Sequence, residues 1–171
     1  PINGQIRYNT TLGYAEISDT NVYRPLGKVA QFLTGNIVQT TGTTILPHDA
    51  TLPTSAEGFQ IWSATITPTY TTSTIVVIFT IYAECSVAIA TSTLALYNGT
   101  TAISIAAGRG VTANTAMNLS INKTFTSGTV SPITISARVG PSTAATVYVN
   151  RGNTETYGGT TNSSYIIMEI V

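Results

Sequence analysis

A chain of 171 residues suits one domain and can bury roughly two-thirds of its unfolded surface. Only 8% of the residues are charged, and seven basic residues balance seven acidic ones, so no field steers the chain to nucleic acid or anionic lipid. No apolar run approaches the ~20 residues of a membrane span, and the one cysteine, Cys85, excludes an intrachain disulfide framework.

The first segment, GQIRYNTTLGYAEISDTNVYRPLG, is richer in charge and tyrosine than the rest of the chain. It reads as two or three short strands with turns at residues 9–13 and 19–21. An isolated hairpin is marginal in water, so this arm, residues 1–27, must dock on its own chain or on a neighbour. Tyr8, Tyr14 and Tyr23 are its candidate subunit-interface residues. Residues 28–35 read as a linker and residues 36–171 as the main domain.

From Ile37 onward the apolar pattern has a period of two. In TIVVIFTIYAE, Ile75, Val77, Phe79, Ile81 and Ala83 make one wholly apolar face. The other face, Val76, Ile78, Thr80, Tyr82 and Glu84, grades from apolar to polar, which predicts a central strand. LALY-NG-TTAISIA carries the strongest short-range hairpin signal, Asn-Gly between two alternating runs, with positive φ expected at both turn residues. ITISARV puts Ile133, Ile135, Ala137 and Val139 inward and Thr134, Ser136 and Arg138 outward; ATVYVN and SSYIIMEI alternate in the same way. About eight antiparallel strands, broken by Gly, Pro, Asn and Ser clusters and with no amphipathic helix, predict an all-β, jelly-roll-like sandwich. Threonine, about a fifth of the chain, suits pleated surfaces and leaves an exterior of hydroxyls and amides. Such exteriors are common on secreted and virion proteins. Cys85 within IYAECSVAI reads as a buried, inert thiol.

The stretch ILPHDATLPTSAEGF holds the only histidine, His48, beside Asp49 and near Glu57. A catalytic or metal site needs convergent partners. His48 has no second histidine to share a metal with, and neighbours along a strand point to opposite faces. Asp49 and Glu57 therefore read as loop carboxylates that bond backbone amides, with Pro47 and Pro53 holding the segment extended across one end of the sandwich. Ala107-Gly108-Arg109-Gly110 is a strand-end turn, not a phosphate loop. No cofactor or metal is expected. Asp19, Glu84, Glu155 and Glu169 are spread over separate segments, and a sugar-cleaving pair needs carboxylates ~5–9 Å apart.

Binding is a stronger expectation than catalysis. Arg151, Asn153 and Tyr157 form a loop whose residue types suit a sugar ring, by stacking and by hydroxyl hydrogen bonds. Tyr148, Tyr165 and Ile167 read as subunit-interface residues, since tyrosine is enriched there. Of five Asn-x-Ser/Thr sequons, Asn98 is the best placed for glycosylation, at a hairpin tip.

Two parts of the chain resemble known families. GQIRYNTTLGYAEI…VYRPLG is similar to the short GxIRYNT units of bacteriophage tail fibres, although Val22-Tyr23 stands where an asparagine-tryptophan pair is frequent. GTTILPHDATLPTSAEGFQIWSATITPT resembles the opening of a β-sandwich found in phage fibre proteins. Asp49, Thr51, Pro53, Glu57 and Gly58 match its pattern, while His48 replaces a more usual tyrosine. The Arg138–Pro141 turn, the Gly158-Gly159 loop and the last strand resemble the end of that domain. The resemblance implies a TNF- or C1q-like head, trimeric and without enzymatic activity.

The expected function is a non-enzymatic structural subunit, extracellular or in a virion. Its partners are further copies of itself, as a homotrimer or a fibre, and host-surface carbohydrate. Three forms fit: a tail-fibre tip, a subunit of an open-ended fibre joined through the arm, or a trimeric capsid decoration protein. A polysaccharide depolymerase is the competing enzyme class.

Overall fold

The period of two becomes strand throughout. A computed structural model describes residues 4–11, 14–19, 22–25, 28–154 and 161–171, with the side chains of 14, 19 and 22–25 outside that description. Thirteen strands and no helix occur among the described residues: β1 (Ile6–Asn9), β2 (Tyr14–Asp19), β3 (Val22–Pro25), β4 (Val29–Asn36), β5 (Thr40–Gly42), β6 (Phe59–Ile66), β7 (Thr74–Cys85), β8 (Thr91–Asn98), β9 (Thr101–Arg109), β10 (Thr115–Thr126), β11 (Ile133–Pro141), β12 (Val147–Val149) and β13 (Ser164–Ile170). Strands β1 to β3 form a separate antiparallel meander.

The other ten strands are one long hairpin folded onto itself. At its tip β8 pairs with β9; next out, β7 pairs with β10, then β6 with β11, and finally β4 and β5 with β13 and β12. Three further pairings, of β7 with β12, of β7 with β13 and of β8 with β11, gather these ladders into two sheets. Strands β12 and β13 lie end to end along one edge of β7, and β4 and β5 lie beside them. Counted by position, each sheet is four strands wide. This is a jelly-roll sandwich of eight strand positions.

The core lies between the sheets. Ile75, Val77, Phe79, Ile81 and Ala83 are all fully buried, as the apolar face of TIVVIFTIYAE predicts. They meet Leu94 and Leu96 of β8 and Ile133, Ile135, Ala137 and Val139 of β11 in one cluster. Trp62 bridges the layers, its ring centroid 5.2 Å from that of Phe79 and 4.5 Å from that of Tyr165, both tilted as aromatic pairs prefer. Cys85 is buried and free.

Three local expectations are corrected. Residues 28–35 are not a linker: β4 pairs along its length with β13, and Lys28 and Val171 exchange backbone hydrogen bonds of 3.1 and 2.9 Å that extend the ladder. The edge of β13 left a row of amides and carbonyls that needed partners. At the hairpin tip the central residues are Gly99 and Thr100, because Asn98 pairs with Thr101, and only Gly99 has positive φ, at 58°. Glycine first is the type II′ pattern, which suits the strand twist as well as Asn-Gly does. Arg138–Pro141 is no turn but the end of β11, paired with β8.

That end of β11 carries the strap formed by residues 43–58. The strap crosses the outer face of the second sheet instead of one end of the sandwich. Leu46 is fully buried there with Ala95 and Tyr97, and its N–H donates to the Pro141 carbonyl at 2.9 Å. The Arg138 guanidinium donates to the carbonyls of Glu57 and Gly58 at 2.8 and 2.7 Å, and the Tyr97 hydroxyl donates to that of Thr54 at 3.0 Å. Gly140 permits the approach: a Cβ there would lie 2.5 Å from the Thr44 oxygen and 2.8 Å from Leu46. Truncating Leu46 opens a cavity under the strap, and Leu46→Ala is expected to lower unfolding free energy by about 2–5 kcal/mol in urea titration.

Candidate functional site

Residues paired across a ladder share a face, so the registers of β4, β13, β7 and β10 assign the outward surface of the first sheet. One row is Phe32, Met168, Val76 and Thr124, and the next is Thr34, Ile166, Ile78 and Asn122. A third, at the sheet end, is Val29, Ile170, Thr74 and Thr126, and a fourth is Asn36, Ser164, Thr80 and Ser120. None of these sixteen positions is charged. Phe32 is 57% exposed, Val29 48% and Ile78 36%, while Val76, Ile166 and Met168 are half-buried among them. The face is apolar over β4, β13 and the start of β7. It turns polar over β10, where Asn118, Ser120 and Asn122 are exposed and the Thr80 and Ser120 hydroxyls lie 3.0 Å apart. An apolar centre with a polar rim is the anatomy of an interaction surface.

The far end of the same face is built differently. Tyr148 of β12 pairs with Thr41 on one side and Glu84 on the other, and Ala116 lies beyond Glu84. Glu84 is buried. The Tyr82 hydroxyl donates to its Oε1 at 2.5 Å and the Asn153 N–H to its Oε2 at 3.3 Å. The Tyr148 hydroxyl donates to Asn153 Oδ1 at 2.8 Å. Gly152 lets the loop pass this close, since a Cβ there would stand 2.8 Å from both Glu84 oxygens. Asn150, buried at positive φ, anchors the start of this loop: its side-chain amide donates to the Ile37 carbonyl and accepts from the Ser163 hydroxyl.

Two other carboxylates leave the surface. Glu169 is fully buried, accepting from the Thr69 N–H at 2.5 Å, the Thr69 hydroxyl at 3.0 Å and the Gln31 amide at 2.6 Å. Burial works to raise the Glu169 pKa, but the Ser73 hydroxyl, the Thr69 N–H and hydroxyl and the Gln31 amide together hold it below the ordinary value. Glu16 in the arm is likewise held low, first by the Asn9 amide, then against burial by Arg7, which it meets at 2.9 Å.

The His48 segment has the loop chemistry expected of it. Asp49 Oδ1 accepts from the Thr51 N–H at 2.8 Å and hydroxyl at 2.6 Å, and these two bonds hold its carboxyl below the usual range. Glu57 Oε2 accepts from the Thr54 N–H at 2.7 Å, and His48 is exposed. Among the described residues no group of three or more His, Cys, Asp and Glu could hold a metal.

The expected interface residues divide. Tyr8 is 65% exposed on the arm and Tyr148 faces outward, half-buried. Tyr14 and Tyr23 lie in β2 and β3 with side chains outside the described part, and Tyr157 lies outside the described residues. Tyr165 and Ile167 are corrected: both turn toward the sandwich interior, Tyr165 half-buried against Trp62 and Ile167 fully buried, so neither belongs to the outward face of the sheet. Their neighbours Ile166 and Met168 face outward instead, with Phe32, Val76 and Ile78. The signal for them was the run Ile166-Ile167-Met168, apolar on both parities, which a strand with one wet face does not need. Arg151, half-buried, and exposed Asn153 share the loop after β12. Asn98 sits half-buried at the hairpin tip.

No protein-family model matches the chain, and no curated protein matches it. Solved structures of infectious bursal disease virus align with the chain. One of its Gt strain aligns at TM-score 0.48 and 11% identity over 97% of this chain and 48% of that one. The VP2 subviral particle aligns at TM-score 0.42 and 13% identity, over 91% of this chain and 44% of that one. The chain thus spans about half the length, or less, of the solved chains it matches.

Glu169 yields a pH dependence. Its folded pKa lies below the ordinary 4.5, so its stabilisation is complete above that value and is lost as pH falls through the folded pKa. Glu169→Gln turns an amide N–H₂ toward donors and is expected to cost about 1–3 kcal/mol at neutral pH. The deficit should shrink on acidification, which urea unfolding of both proteins at about pH 7 and pH 3 measures.

Proposed function

We propose that this chain is a non-enzymatic structural subunit of a virion or other extracellular assembly, built by association of identical copies. The observation that carries the reading is the uncharged outward face centred on Phe32, Val76, Ile78, Ile166 and Met168. Apolar area of this kind gains on the order of 25 cal/mol per Å² when covered, and with a net charge of zero there is no self-repulsion to overcome. The likeness of the arm and the sandwich to phage tail-fibre units supports a place in a virion, as a fibre tip, a fibre subunit or a trimeric decoration protein.

Host-surface carbohydrate is a second reading, favoured by Tyr82 and Tyr148 flanking Glu84 beside Arg151 and Asn153. Tyrosine faces and amides at one sheet end are the groups that bind sugar rings. Loss of host-cell adsorption by Tyr148→Ala, with an unchanged mass in solution, supports it; unchanged adsorption removes it.

Light scattering of the full chain, of a chain lacking residues 1–27 and of Phe32→Asp tests the main reading. An oligomer is expected, and Phe32→Asp should weaken association about tenfold or more, since a charge at a buried interface centre has no partner. A threefold mass marks a closed trimer and open-ended polymer a fibre. A monomer at all concentrations sinks the proposal.

A further inference from the structure

A strand edge with unpaired N–H and C=O groups is a template for another strand unless something blunts it. Among the described residues nearly every edge of this chain is blunted. On the β10 edge half-buried Lys123 pairs with fully buried Val77, so an edge strand carries a charge on its inward side. Strand β9 bulges at Ile103, since Leu96 pairs with Ser104 and Tyr97 with Ala102. Strand β6 bulges at Ile61, between the pairs of Trp62 with Ala137 and Gln60 with Arg138. Strand β5 has only three residues. In the arm, β1 carries Arg7, and β3 carries Arg24 and Pro25.

Strand β4 is the exception. It ends the first sheet, and its eight residues, VAQFLTGN, include no charge and no proline. Its one bulge, at Ala30, lies near its start, and residues 31–36 stay in register with β13. The Ile37 N–H donates to the Ser163 carbonyl at 2.8 Å, the next step of that register. Bonded and non-bonded pairs alternate in an antiparallel ladder, so Gln31, Leu33 and Gly35 spend their backbone groups on β13. Those of Phe32 and Thr34 point the other way, to the open edge.

The side chains select the strand that fits there. The outward face of this sheet is apolar over β4, β13 and the start of β7 and polar over β10. In one copy the apolar part therefore runs out to an open margin, and Phe32 on that margin is 57% exposed. A second copy joined edge to edge supplies the missing half. The sheet then reads β10-β7-β13-β4 followed by the same four reversed, apolar in the middle and rimmed by β10 on both flanks, which is the anatomy of a protein interface. No like charges meet at the junction, because β4 has none.

We propose that two copies pair antiparallel through β4 about a two-fold axis at Leu33. This rests on the assembly reading above and specifies its contact. Phe32 of one copy faces Thr34 of the other on the outward side, and the two Leu33 side chains meet on the core side. The Phe32–Thr34 pair occurs on both sides of the axis, and each time it exchanges both N–H···O bonds. The contact is isologous, so it closes at two copies and uses up the open edge.

Cysteine cross-linking of the full chain tests the register, with native Cys85 buried. Phe32→Cys and an affinity-tagged Thr34→Cys are mixed and oxidised gently. In the proposed pair their Cα atoms lie about 5.5 Å apart, within disulfide reach, whereas like residues are diagonal neighbours about 7–8 Å apart. The mixed disulfide is expected to exceed either like pair by about tenfold. Oligomers by light scattering without that excess overturn the proposal but leave the assembly reading standing. A disulfide between two copies of Ile78→Cys does the same, because edge pairing holds them about 24 Å apart, five strand spacings, and only stacked faces bring them together. A closed trimer overturns the proposal on symmetry alone. A monomeric wild type removes both readings. As a second readout, Thr34→Pro removes an N–H that β13 does not use, and it should weaken association about tenfold or more. A folded Thr34→Pro chain that associates like the wild type overturns the contact.

Discussion

The pairing of β7 on both edges over nearly its whole length governs this molecule. Thr74–Cys85 is in register with Thr115–Thr126 on one side and with β13 and then β12 on the other. Side chains alternate along a strand, so this one register decides for four strands at once, β7, β10, β12 and β13, which residues enter the core. A slip of one residue would bring Val76, Ile78 and Glu84 inward and send Phe79 and Ile81 out. The slip is prevented by asymmetry: the odd-numbered residues of β7 are uniformly apolar, whereas the even-numbered ones end in Thr80, Tyr82 and Glu84. The nested hairpin is then folded around a strand that has only one acceptable orientation.

The outward face is a consequence of that constraint. Its apolar half exists because β7 and β13 are apolar on both parities near Val76 to Phe79 and Ile166 to Met168. Its polar half exists because β10 alternates strictly, with Asn and Ser outward. Charge is removed further by the fold itself: Glu16, Glu84 and Glu169, three of the seven acidic residues, are buried against neutral or cationic donors. A surface with so little charge neither repels its own copies nor attracts nucleic acid, which is consistent with the self-association proposed above.

The two sheets of the sandwich differ in what covers their outer sides. The second sheet covers its outer apolar side chains with residues of its own chain, the strap that buries Leu46, Ala95 and Tyr97. Among the described residues the first sheet has no such strap.

Much of this was legible from the sequence because it depends on neighbours along the chain. The alternation in TIVVIFTIYAE and ITISARV set the inward residues of β7 and β11. The glycine of Asn98-Gly99 placed the hairpin tip, and Asp49 and Glu57 were readable as loop carboxylates since their partners, Thr51 and Thr54, lie two and three residues away. What needed the tertiary structure depends on residues far apart. Val29–Asn36 is a strand only because β13 lies beside it. Ile167 rather than Ile166 turns inward because Val77, its partner on β7, does so. Glu169 is an interior carboxylate because Gln31 and Thr69, 138 and 100 residues away in sequence, bring it donors. Local alternation can say that a strand has two faces. Which face meets the core is decided by the strand that pairs with it.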